Sequence, residues 1–141
     1  MQLSRTQKVV TYHTASALVQ AALSHAMENG WGVAAAVVDP SGNVVASGRL
    51  DGVPPTVLDF ASDKAFTATL GNSTRAFFER MSSSPELHMG MINRPRLCAW
   101  DGGQPIVEDG ALIGAIGVSG AAGPDDVECI RIALQSIGLD A

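Results

Sequence analysis

The chain has 141 residues, of which 46% are hydrophobic and 16% charged, and its net charge is −5. These values fit one domain with a buried core, spanning residues 1–141, and exclude a disordered chain. An acidic chain without a basic stripe is a poor candidate for nucleic-acid binding, and the longest apolar run, 110–123, is too short and too glycine-rich to span a membrane.

The N-terminal region predicts one long helix. The first residues show no apolar core flanked by a cleavage site, so we expect no signal peptide and a cytoplasmic location. Apolar residues from Tyr12 to Ala26 repeat at helical spacing and Gly30 is a stop signal, which predicts a helix over 6–29. Ser4 or Thr6 is the expected N-cap.

A hairpin and two helices are predicted next. Residues 32–51 contain the run VAAAVVD, the turn PSGN and the run VVASGRLD, a pattern typical of a β-hairpin. Residues 56–71 have small apolar residues on one helical face, and a shorter helix is predicted over 74–81. The stretch 82–96 is the least regular, and we interpret it as a loop with a helical turn.

The last third predicts three strands and a closing helix. The strands are LCAW (97–100), QPIVED (104–109) and ALIGAIGVSG (111–120), and the helix covers 124–137. Strands grouped as a pair and a triplet, joined by short turns, predict an α/β (α+β) fold with a five-stranded antiparallel sheet flanked by helices.

The run GALIGAIGVSGAAGPDD, residues 110–126, raises the question of a phosphate-binding loop. Such a loop needs free N–H groups at a helix N-terminus, but Pro124 removes a donor and Asp125 and Asp126 place negative charge there. No GK[ST] motif follows. We therefore interpret the glycines as a means of close packing and do not expect nucleotide binding.

Neither a metal site nor an activated nucleophile stands out. Cys98 and Cys129 lie far apart without CxxC spacing, which indicates buried thiols, and His13 and His25 form no HxxxH pattern. Ser119 lies in GVSG, which is not the GxSxG pattern of a serine nucleophile.

Three blocks carry a family resemblance: VVDPSGNVVASGRLDG, DFASDKAFTATLG and GGQPIVEDGALIGAIGVSGAAGPDD. They resemble the GlcG-like, or HbpS-like, haem-binding (haem-degrading) domain family, which is also found as the C-terminal domain of PduO-type proteins. The resemblance runs from about residue 6 to residue 138. It implies a profilin-like fold, assembly into oligomers, and haem or another tetrapyrrole as ligand.

Charges inside these blocks are the first candidate ligand contacts. Arg49 and Asp51 lie two apart on a predicted strand and so face the same side, and Lys64 lies on a mostly apolar helix. Arg49 and Lys64 together would suit a carboxylate, such as a haem propionate. The alternative is a structural network in which Lys64 or Arg49 pairs with Asp51, Asp59 or Asp63.

The remaining candidates lie in the irregular segment and the turn after it. His88, beside Met89 and Met91, could supply an axial haem ligand, although such a histidine is often ordinary surface. Gly102 and Gly103 match the family's GG-x-P turn, which is either a ligand wall or a backbone bend.

Three functions remain open on these residues. The first is an oligomeric binding protein for an acidic ligand such as haem. The second is a small hydrolase or isomerase acting on a carboxylate intermediate of a catabolic pathway, in which Asp51, Asp59 or His88 moves protons. The third is an interaction module without chemistry.

Overall fold

A computed structural model describes residues 1–140 as an α+β fold with helices on both faces of one sheet. The helices are α1 (Tyr12–Glu28), α2 (Pro55–Ala68), α3 (Thr74–Met81), α4 (Pro85–Ile92) and α5 (Gly123–Ser136). The strands are β1 (Ala34–Val38), β2 (Val44–Arg49), β3 (Gly103–Glu108) and β4 (Ala111–Ser119). None of the helices within residues 1–140 is both long and apolar enough to span a membrane.

The sheet is antiparallel with the order β2-β1-β4-β3. Both predicted hairpins are present. In the first, the Asp39 carboxylate accepts the backbone N–H groups of Ser41 and Asn43. In the second, Asp109 and Gly110 form the two-residue turn with positive φ angles of 49° and 79°, as the right-handed twist of a hairpin favours.

The predicted fifth strand, LCAW at 97–100, is wrong: within residues 1–140 the sheet has four strands. This segment crosses α2 instead of pairing with a strand. The backbone N–H of Cys98 donates to the Thr67 hydroxyl on α2, at 2.9 Å, and the N–H of Leu97 donates to the Arg94 carbonyl. Both donors are therefore satisfied without a sheet partner.

The first and fourth helices also differ from the prediction. The first begins at Tyr12 rather than at residue 6, with Thr11 as N-cap, because the N–H of Val10 donates to the Ile113 carbonyl beside the sheet. Residues 85–92 form a full helix, α4, where the sequence indicated a loop with a helical turn. Its start has a Ser84 N-cap followed by Pro85, a favourable pair of signals.

The strand residues alternate between two apolar layers. Ala35 and Val37 face α1 and α5, which supply most of the large core side chains. Ala34, Ala36 and Val38 face α2, whose buried positions are mostly small. The sheet therefore has one face with large side chains and one face on which α2 lies close to the strands.

Gly117 of β4 shows how close that approach is. A Cβ built at this position would lie 2.0 Å from the carbonyl oxygen of Ala61 and 2.7 Å from the backbone nitrogen of Ala65. Glycine is therefore required here by the α2 backbone. This packing role is the one that the sequence indicated for the glycine-rich run.

Candidate functional site

Arg49 and Asp51 lie at the outer edge of the sheet. Arg49 is the last residue of β2 and donates to the Val53 carbonyl, so its guanidinium is engaged locally. Asp51 lies in the turn after the strand, where the two-residue alternation that predicted a shared face no longer applies. Both residues are exposed.

Lys64 lies inside the protein. Its side chain is only 3% exposed, and Nζ donates to the Val118 carbonyl at 2.9 Å and to Asp126 Oδ2 at 3.1 Å. The other carboxylate oxygen of Asp126 accepts the N–H of Ala121 at 3.1 Å. The pair thus joins α2, the end of β4 and the start of α5. The sequence foresaw a structural pairing as one alternative, but not Asp126 as the partner.

Burial raises the pKa of Asp126 to about 6, from an ordinary value of 3.8, although Lys64 and the Ala121 N–H act in the opposite direction. Below that pKa the folded protein binds a proton that the unfolded chain takes up only near 3.8. The contribution of this group to stability is therefore largest at low pH and is lost as the pH rises through about 6.

We expect the wild type to gain stability relative to Asp126→Asn as the pH falls from about 7 to about 4, because asparagine cannot take up the proton. Urea unfolding of both proteins across this range measures the difference. Parallel stability curves would contradict a raised pKa at this carboxyl.

Gly102 and Gly103 act as a backbone bend in the structure. Gly102 has φ +113°, and a Cβ on Gly103 would lie 2.5 Å from the Lys64 carbonyl oxygen. The N–H of Gly103 donates to the buried Thr74 hydroxyl at 3.0 Å. Both glycines also border a small cavity of about 120 Å³ that includes Asp101. They therefore combine close packing with a position at a cavity wall.

A larger open groove lies beside that cavity, between α3, α4 and the segment 99–101. We call it the α4 groove, and its volume is about 400 Å³, which is within the range of small-molecule sites. Its lining residues are Arg75, Phe78, Ser82, His88, Met91, Ala99, Trp100, Asp101 and Gly123. Of the candidates from sequence, His88 and its neighbour Met91 line it, whereas Met89 does not.

Aromatic and cationic groups give the groove its character. Trp100 is 59% exposed and meets the Phe60 ring edge-on at 5.2 Å between centroids. Phe78 is also partly exposed, and the Arg75 guanidinium lies 5.2 Å from its ring centroid. The groove therefore offers aromatic surface with a cation at its wall, a combination suited to a flat anionic ligand.

Sequence reasoning did not find Arg75, Phe78 or Trp100. Arg75 and Phe78 lie three apart on α3 and so share a helix face. That shared face indicates a groove wall only once α4 is known to be a helix that packs beside it. Trp100 was interpreted as part of a strand. Its exposure follows from the irregular path of 97–102 over α2.

The remaining sequence candidates lie elsewhere. Asp59 is exposed on α2. Arg49 lies on β2 and Gly103 on β3, the two edge strands of the sheet, which are about 14 Å apart at ordinary strand spacing. Arg49 is bonded to Val53, Lys64 is buried, and the lining of the α4 groove that contains His88 includes neither of them. The carboxylate-processing enzyme that depended on their convergence therefore gains no support from the geometry.

The thiols and the other histidines are outside the α4 groove. Cys98 and Cys129 are free, and burial raises the pKa of both thiols, that of Cys129 to about 11. His25 pairs with Glu128 at 2.9 Å, which links α1 to α5, and His13 is exposed on α1.

Comparison with known proteins supports the resemblance seen in the sequence. The family model described as haem degrading protein HbpS-like matches residues 10–135. The chain belongs to the HbpS-like family. Protein GlcG of Escherichia coli strain K12 is 34% identical over 115 residues, which are 82% of this chain and 84% of that protein.

Solved structures with the same fold include one from this family. A double mutant of Streptomyces reticuli HbpS is 31% identical with a TM-score of 0.86, and the match covers 96% of this chain and 91% of the other. The structure of a PduOC:heme complex has a TM-score of 0.84 at 22% identity, covering 92% and 96% of the two chains. The latter likeness concerns the fold alone.

Proposed function

We propose that this HbpS-like chain is a binding protein for haem or a similar anionic tetrapyrrole and that the α4 groove is its site. The description of the matching family, haem degrading protein HbpS-like, supports the ligand class. The site is proposed because one groove is lined by His88, Met91, Trp100 and Arg75.

The groove residues fit such a ligand chemically. An imidazole nitrogen and a thioether sulfur are both axial ligands of haem iron in other proteins, and His88 and Met91 supply one of each. Trp100 and Phe78 offer apolar aromatic surface for the macrocycle. Arg75 now pairs with Glu79, with 3.5 Å between Nε and Oε1, and both side chains are exposed. Because an exposed ion pair is weak, Arg75 is free to exchange Glu79 for a propionate.

Haem, when bound, would supply an iron centre, and His88 or Met91 would hold it through a nitrogen or sulfur donor. The chain's own residues orient the ligand and exclude water from one of its faces. Asp101 also lines the groove, and its carboxylate would oppose a propionate that binds next to it.

We also infer that the protein associates with itself. Exposed apolar side chains concentrate on α4 and next to it: Met89 and Ile92 are 68% and 69% exposed, and Trp100 is close by. Burial of such side chains between copies is favourable. A cytoplasmic location remains our proposal.

Haemin titration followed by the Soret absorbance tests the proposed site. We expect the wild type to bind haemin. Of His88→Ala and Met91→Leu, the variant that removes the iron ligand should shift the Soret band and weaken haemin affinity by at least about tenfold. His13→Ala and Met89→Leu are matched controls, since both residues are exposed and neither lines the α4 groove.

Two results would count against the proposal in different ways. Absence of a Soret change with the wild type rejects tetrapyrrole binding. Binding by the wild type that neither His88→Ala nor Met91→Leu alters, in band position or affinity, rejects the α4 groove as the site.

A further inference from the structure

A second cavity lies on the other side of α3, between this helix and the end of α2. Its volume is about 250 Å³, and we call it the α2–α3 pocket. It shares no lining residue with the α4 groove. Neither the sequence candidates nor the proposed haem site make use of it.

The two-turn helix α3 lies between the two cavities, and its opposite faces line different ones. Arg75 and Phe78 lie on one face and line the α4 groove, whereas Ala76, Phe77 and Arg80 lie on the other and line the pocket. A ligand in the pocket therefore contacts a set of side chains that a ligand in the groove does not.

Apolar groups form most of the pocket. Phe77 is 8% exposed and Ala76 is half-buried, while Leu70 stands at the rim with 65% of its surface exposed. Thr67 also lines the pocket, but its hydroxyl already donates to the Asp63 carbonyl and accepts the Cys98 N–H. The walls thus suit a small apolar body.

The polar groups of the pocket are a guanidinium and an amide, from Arg80 and Asn72. No acidic side chain lines the pocket, and within residues 1–140 Arg80 has no salt bridge, in contrast to Arg75 with Glu79. An arginine without a carboxylate partner beside apolar walls complements a ligand that carries its own carboxylate.

We propose that the α2–α3 pocket binds a small monocarboxylate with an apolar chain, with the carboxylate on Arg80 and Asn72 and the chain against Phe77. The pocket corresponds to about eight water volumes, so the ligand has about eight to ten non-hydrogen atoms. This site is separate from haem binding and does not depend on it.

Hexanoate is the probe, titrated into the haem-free protein and followed by two-dimensional amide NMR. We expect a Kd of about 1 mM, with shifts concentrated on residues 67–81. Hexanol, which lacks the charge, and acetate, which lacks the chain, should each bind at least about tenfold more weakly, because each loses one half of the recognition.

Two variants of the protein test recognition of the carboxylate and recognition of the apolar chain separately. Arg80→Gln should weaken hexanoate at least about tenfold without affecting folding, since the side chain is exposed. Ala76→Leu should fill the pocket and abolish binding. Arg131→Gln removes an exposed arginine from α5 and is the matched control, with unchanged affinity.

Equal binding of hexanol and hexanoate, or unchanged affinity in Arg80→Gln, would overturn the proposal. Shifts that map to the α4 groove instead of residues 67–81 would also overturn it. Since haem is absent from these measurements, their outcome is independent of the Soret titration.

Discussion

Lys64→Met is expected to lower the free energy of unfolding by about 3–5 kcal/mol, because it leaves the Asp126 carboxylate buried without its cation. Methionine keeps most of the volume of the lysine stem, so the loss reflects charge and hydrogen bonding rather than a cavity. The Val118 carbonyl also loses the donor that lies 2.9 Å away. Urea unfolding at about pH 7 measures the change, because Asp126 is ionised in the unfolded chain at that pH, so the folded variant must either bury an unpaired carboxylate or take up a proton.

A double variant is the control for this interpretation. Asparagine at 126 still accepts the Ala121 N–H but carries no charge, so Lys64→Met with Asp126→Asn should be more stable than Lys64→Met alone. Equal stability of the two variants, or a loss below about 1 kcal/mol in Lys64→Met, would show that the pair does not hold α5 against α2.

The same experiment bears on whether Lys64 contacts a ligand. Substitution of a residue at a binding site lowers ligand affinity and leaves the free energy of unfolding nearly unchanged. Substitution in a buried ion pair lowers the free energy of unfolding instead. With a side chain that is 3% exposed and two acceptors within 3.1 Å, Lys64 has the geometry of the second case. Any loss of haem affinity in Lys64→Met should then follow the loss of folded protein.

Most of the fold could be predicted from the sequence because its signals are local. The two hairpins depend on turn residues, and the last helix depends on Pro124 and its following aspartates, so its predicted bounds were within one residue of those observed. The strand predicted over 97–100 was wrong because of a tertiary contact. Its apolar residues suggested a strand, but the Thr67 hydroxyl on a distant helix accepts the donor that a strand partner would have taken.

The site was predicted less completely, because it depends on which surfaces meet. His88 was found as an isolated histidine among methionines, and the structure places it in the α4 groove. Arg49 and Lys64 are charges in the family blocks, a position that predicts ligand contact. Their actual partners, the Val53 carbonyl and Asp126, could not be read from spacing. Arg75, Phe78 and Trp100 become neighbours only through tertiary packing.

Gly117→Ala is expected to cost about 3 kcal/mol, at the upper end of the usual range for overpacking. The added methyl would lie 2.0 Å from the Ala61 carbonyl oxygen and 2.7 Å from the Ala65 nitrogen. Both are backbone atoms of α2, so no rotamer change relieves the contact. The helix must move away from β4, and the apolar layer between them opens.

Gly90→Ala on α4 is the matched control, since a Cβ there meets no atom within 4 Å. Alanine in a helix is favoured over glycine by about 0.5–1 kcal/mol, so this variant should be slightly more stable than the wild type. Chemical unfolding of both variants gives the comparison, and a Gly117→Ala protein as stable as the wild type would disprove the close approach of α2.

A second-site change distinguishes a backbone contact from ordinary side-chain crowding. Ala61→Gly removes the neighbouring methyl but leaves the Ala61 carbonyl oxygen in place, so it should not rescue Gly117→Ala. Rescue by Ala61→Gly would mean that side chains, rather than the α2 backbone, set the spacing. Because Lys64 lies on the same helix, a displaced α2 should also weaken its bonds to Val118 and Asp126. The pKa of the Asp126 carboxyl in Gly117→Ala should therefore move further upward if it stays buried, because the cation that lowers it has withdrawn.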